Sequence, residues 1–228
     1  MTPSLPAAKT RARPPTGGQR DVSEPEHSDE SRSDETRHAG RGLLLITSAK
    51  LVFIVSAYAV RLALPRIFGS EQVYGLFSVA FGAASILNNV LIASTLQTVS
   101  KMVSEDEARA PATLRSGLYL QLAVGGALGG ALFAGAPLWA ELMRNPALAP
   151  LIRAAGVVAF AYALYAALVG YLNGRRRFRH QAGLDMTFSV LRTTGLIGGA
   201  ALGLGAAGAM SGFAIAAGTI LVVALLTV

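Results

Sequence analysis

GLLLITSAKLVFIVSAYAVRLALPRIFGSEQVYGLFSVAFGAASILNNVLIASTLQTVSK, residues 42–101, is two long apolar runs joined by a short polar turn. Each run has about the 20 residues an α-helix needs to cross a hydrocarbon core. The link at 65–72, PRIFGSEQ, holds a proline and a glycine, which predict that one helix ends there and the next begins. A helical hairpin satisfies its own backbone hydrogen bonds, which lipid cannot do for it. The stretch predicts a membrane-embedded helical hairpin, and the remaining chain repeats the unit.

After the hairpin, residues 104–112 (SEDEARAPA) form a charged loop with Pro111 placed to start a helix. A third apolar run covers 114–136, and GGALGG at 125–130 offers overlapping small-xxx-small pairs for close helix approach. Residues 137–150 read as an outer loop, with Trp139 suited to a membrane interface. A fourth run covers 151–172 and ends in NGRRRFRH at 173–180. The fifth covers 181–204, with glycines 195, 199 and 203 on one ridge, and the sixth 208–228. With 43–65 and 74–101 these make six transmembrane helices. The expected fold class is all-α, a polytopic membrane bundle. The chain stops while still apolar, which leads to the expectation of a truncated or split product.

Composition agrees. Mean hydropathy is +0.48, and 52% of residues are hydrophobic against 14% charged, the membrane side of soluble usage. Residues 1–41 hold seven Lys/Arg and seven Asp/Glu, so they are neutral. Residues 42–228 hold thirteen and six, which supplies the whole net +7. The basic balance therefore belongs to the membrane part and does not indicate nucleic acid. Residues 1–41 lack the apolar content to offset ordering entropy and are expected to be a disordered cytoplasmic tail. They hold no apolar signal-peptide core, so the first span is expected to target the chain. There is no Cys, and the three His are scattered, so thiol chemistry and a His-rich metal site are both excluded. No nucleophile–base pair stands within the spans, so the expectation is a protein that is not an enzyme and takes no cofactor.

Six spans put the tail and the loops at 104–115 and 173–180 on one side. That side carries Lys101, Arg109, Arg115, Arg175, Arg176, Arg177 and Arg179; the other carries Arg66, Arg144 and Arg153. The positive-inside rule makes the N-terminus cytoplasmic. The arginines at 175–179 read as a topology determinant, or as a grip on anionic lipid headgroups.

Ionisable groups within spans are functional candidates, because a charge at the bilayer centre costs about 2.5 kcal/mol or more. Lys50 and Arg61 in span one are eleven residues apart, about 20° from eclipsed and ~16 Å along an ideal helix. They share a face, which lines a watery cavity or snorkels to the headgroups at either end. Arg192 in span five is ~16 Å from each surface by helix rise, beyond the reach of its side chain. It lines a cavity or bonds a neighbouring helix. Asp185, a turn inside the basic loop, is expected to pair with those arginines. Asn88 and Asn89 in span two, and Gln97, nine residues beyond Asn88 and expected on a similar face, are further cavity candidates. Each could instead glue helices together, as could Gln121 in span three.

Three segments resemble a known family. LPRIFGSEQVYGLFS (64–78), YLNGRRRF (171–178) and LGLGAAGAMSGFA (202–214) are similar, in order and spacing, to motifs of oligosaccharide flippases of the polysaccharide biosynthesis type. These belong to a superfamily with the lipid II flippases and the multidrug extruders. The resemblance covers residue 42 to the end. It implies one six-helix half of a two-bundle transporter working by alternating access, with a second six-helix half as partner. It also implies a lipid-linked glycan diphosphate as substrate and the inner (plasma) membrane as location. Embedded Lys50, Arg61 and Arg192 would offset the charge of that anionic headgroup. The competing readings are a cation-coupled drug exporter, which wants a deep carboxylate, and a non-transporting fragment.

Overall fold

The computed structural model describes the backbone of residues 26–228 and the side chains of Leu44 and 47–228. Residues 1–25 of the expected tail lie outside the described residues. Contacts divide the chain between Ala39 and Gly40, and the unit starting at Gly40 carries everything below. Six helices follow one another: α1 (Glu26–Phe68), α2 (Glu71–Glu105), α3 (Ala110–Leu142), α4 (Leu148–Gly174), α5 (Phe178–Gly199) and α6 (Gly205–Thr227). Among the described residues there is no strand. The backbone is already helical from Glu26, upstream of the boundary expected at 41. No proline falls between Pro25 and Pro65, and the acidic residues at 26, 29 and 30 suit a helix N-terminus.

Among the described residues five segments are long and apolar enough to cross a membrane, the last being Phe178–Thr227. That segment folds back on itself. Gly203 (φ 79°) and Gly205 (φ 58°) take left-handed backbone conformations at the turn, where a side chain would be strained. Gly199 then faces Gly208, and Gly195 faces Gly212, so α5 and α6 run antiparallel. α5 continues into a π-helical stretch, Ala200–Leu204, that breaks at Gly203, so the fifth run ends where expected, at 204.

Helix ends depart from the expected spans in two further places. Pro65 lies inside α1, which ends at Gly69 (φ 59°), whose N–H donates to Pro65 O at 3.2 Å. Within that last turn, Arg66 Nη1 donates to Leu62 O at 3.2 Å. Pro137 lies inside α3, which continues to Leu142. In lipid the flanking bonds have no water to compete for them, so one missing donor need not end the helix. Pro111, by contrast, sits in the first turn of α3 as its position predicts.

α4 is the hub. It is buried along nearly its whole length and packs against α2, α3 and α6. Glycines set the α3/α4 seam: a Cβ on Gly129 would lie 2.7 Å from Gly156 O, and one on Gly125 would lie 2.4 Å from Ala163 Cβ. The 125–130 motif therefore does bring two backbones together. α2 runs parallel to α4, with Gly170 against Leu96 and Gly174 against Val103. α1 differs: among its described side chains only Ala49, Val60 and Leu64 are buried, and its backbone makes almost no close approach to another described helix. Outward-facing Ile86, Leu120, Leu138, Ile215 and Leu226 form the apolar exterior that hydrocarbon covers.

Candidate functional site

The stand-off of α1 leaves a cavity of about 560 Å³ between it and α2, α4, α5 and α6. Its size falls within the roughly 300–1,000 Å³ of small-ligand sites. Six aromatic side chains line it. Phe81 and Phe213 lie 5.7 Å apart, Tyr162 meets Phe213 edge-on at 6.1 Å, and Tyr162 meets Phe188 edge-on at 4.9 Å. Tyr165 and Phe53 complete the set. Edge-on packing of this kind makes the aromatic wall a stiff surface.

Into this apolar shell the helices project four charged groups: Lys50 and Arg61 from α1, and Asp185 and Arg192 from α5. Three cations face one carboxylate, a formal +2. Lys50 and Arg61 come to one cavity because eleven residues is nearly three whole turns. Arg192 is 92% buried by the complement of its 8% exposure, its Nε has no hydrogen-bond partner, and its guanidinium lies 4.4 Å from the Phe53 ring centroid. Among the described residues no carboxylate pairs with it. The only direct hold on it from α1 is thus a cation–π contact.

Asn88 and Asn89 also line the cavity, and Asn88 Oδ1 is buried without a partner. Gln97 does not: it is exposed on α2, outside the cavity. Nine residues is two and a half turns, which turns Gln97 away from Asn88's face. Gln121 faces Thr95 instead, its Nε2 donating to Thr95 Oγ1 across the α2/α3 seam. It serves as helix glue.

Asp185 is a second correction. It does not pair with the basic loop but lines the cavity, accepting a hydrogen bond from Tyr165 OH at 3.1 Å. The loop's Arg175 finds other partners. It lies 3.6 Å from Glu107 Oε1 and donates to Tyr171 OH at 3.1 Å. That pairing raises the Arg175 pKa, chiefly through the Tyr171 hydroxyl, and joins the 104–109 and 173–180 loops at one end of the bundle. Position on the helix misled the sequence reading: four residues from Gln181 to Asp185 is one full turn, which carries Asp185 inward onto the Arg192 face. The aromatic wall and Gln181 were likewise not singled out, since aromatic residues in an apolar run carry no signal of their own. Among the described residues no cluster of His, Cys, Asp or Glu could hold a metal ion.

Comparison with known proteins gives one match. The model of a family described as polysaccharide biosynthesis protein matches residues 60–228, which include every helix from α2 onward. No curated protein and no solved structure matches the chain.

Proposed function

This chain belongs to the polysaccharide biosynthesis protein family, and we infer that it moves the headgroup of a lipid-linked saccharide diphosphate across the inner membrane. The observation that carries the reading is Arg192: a deeply buried guanidinium, unpaired by any carboxylate, opening into a cavity shared with Lys50 and Arg61. An unpaired charge in that setting is costly unless a ligand supplies the counter-charge. A diphosphate diester supplies two negative charges, matching the formal +2. Its acyl chain stays in lipid while the headgroup occupies the cavity.

In this reading the chain crosses six times with its N-terminus cytoplasmic. The meeting of the 104–109 and 173–180 loops through Arg175 and Glu107 supports one-sidedness, and that side holds the greater share of basic residues. A second six-helix half would enclose the open side of α1 and allow alternating access. The chain works as a transporter, with no bond made or broken.

The test is polysaccharide export by cells whose full-length protein carries Arg192→Gln. Export is expected to fall at least tenfold with membrane insertion intact; unchanged export removes the anion reading. One observation favours a cation-coupled exporter instead, the placement of Asp185 inside the cavity. Cationic-dye uptake by the same reconstituted protein, absent in Asp185→Asn, would support that alternative.

A further inference from the structure

The charged groups in the cavity are not mixed at random. On α5, Asp185 and Arg192 are seven residues apart, within about 20° of one face and ~10 Å along the axis. Phe188 stands between them, braced edge-on by Tyr162. Asp185 uses one carboxylate oxygen to accept from Tyr165 OH, which fixes its plane. Its other oxygen has no protein partner and is not among the sealed-off atoms. The wall thus offers, in order, a fixed carboxylate acceptor, an aromatic face and a guanidinium.

Resting on the reading above, we propose that this row recognises the first sugar ring of the substrate as well as its diphosphate. Arg192 takes the phosphate, the Phe188–Tyr162 surface takes the apolar face of the ring, and Asp185 accepts from ring hydroxyls. The separation of Asp185 from Arg192 is roughly the reach of one sugar from the phosphate that bears it. A lipid diphosphate without sugar would leave Asp185 facing empty space.

A bound metal cation is the other ligand a carboxylate could take. It would need several further oxygens around it. Asn88 and Gln181 line the cavity but their amide oxygens have almost no accessible surface, and Tyr165 OH donates to Asp185. Those oxygens are therefore poorly disposed for coordination, and hydroxyl donors suit the remaining acceptor better.

The test measures binding of two ligands to the full chain in detergent: a polyprenyl diphosphate, and the same lipid diphosphate bearing one hexose. Wild type is expected to prefer the sugar-bearing ligand by about tenfold or more. Asp185→Ala should bring that ratio close to one, and because it also removes the cavity's one negative charge it should tighten the sugarless ligand. Tyr165→Phe, a milder change that keeps the ring, should lower the ratio part of the way. Arg192→Gln should weaken both ligands together. Because the readout is a ratio, a partly unfolded variant does not imitate the effect. Equal binding of the two ligands by wild type, or an equal loss of both in Asp185→Ala, overturns the sugar-reading role while leaving the anion site standing. Sodium-dependent binding with no sugar preference assigns Asp185 to a cation instead. Failure of wild type to bind either ligand removes the anion reading and this inference with it.

Discussion

The α5/α6 seam and the α1 side of the cavity are built on opposite principles. At the seam two backbones touch: Gly195 against Gly212 and Gly199 against Gly208, with no room for a Cβ. On the cavity side α1 stands off, with Phe53 over Arg192 and with Lys50 and Arg61, both exposed, at the cavity lining. In a membrane there is little hydrophobic force between helices, so dispersion and shape decide where they meet. Small residues close one side; large and charged residues line the open one. The site lies beside the one helix that takes part in none of the glycine contacts joining α3 to α4, α2 to α4 and α5 to α6.

The strongest way to break this contrast is to fill the seam. Gly212→Leu drives its Cβ into Gly195 O. It should destabilise the bundle by about 3 kcal/mol or more, at the upper end of overpacking. Thermal unfolding in detergent checks it, and a wild-type midpoint would mean that the seam can open freely. On the cavity side the corresponding change removes charge. Arg192→Gln should leave that midpoint close to wild type yet weaken lipid-diphosphate binding by roughly 10- to 100-fold, the scale of one charged hydrogen-bonding group.

Two smaller effects sharpen the comparison. Phe53→Ala uncovers the guanidinium, losing a cation–π contact of about 0.5–2 kcal/mol. Affinity for a lipid diphosphate should rise several-fold as the competing ring is removed; a fall would make Phe53 part of the binding wall. The smallest effect belongs to Gly130→Ala. A Cβ there meets nothing within 4 Å, whereas at adjacent Gly129 it would sit 2.7 Å from Gly156 O. Gly130→Ala should shift stability by no more than ~0.5 kcal/mol, and Gly129→Ala by clearly more. Equal shifts would contradict the seam geometry.

Much of the architecture was legible in residue order. Apolar run length marked each helix, Pro111 marked a helix start, and the 125–130 motif marked a close contact, all of which the helices and seams match. Helix ends were less legible. Hydropathy reports which residues suit lipid, while the hydrogen-bond ladder runs on through Pro65 and Pro137. In the site, the whole-turn spacing of Lys50 and Arg61 and the depth of Arg192 were enough to bring all three to one cavity. Gln97 was misplaced by half a turn, and Asp185 was assigned to the loop when its face points inward.

By itself, the order of residues determined that this chain is a helical membrane protein with a positive surplus inside its apolar segments. Both follow from local properties, hydrophobic length and the cost of embedded charge. Only the tertiary structure decided which embedded groups meet. Whether Asp185 faces the arginine loop or the Arg192 cavity depends on how α4 and α5 are rotated against each other. That rotation is set by interhelical packing, Tyr162 on Phe188 and Tyr165 on Asp185. The spacing on α5 alone fixes that Asp185 and Arg192 share a face, but not which way that face points.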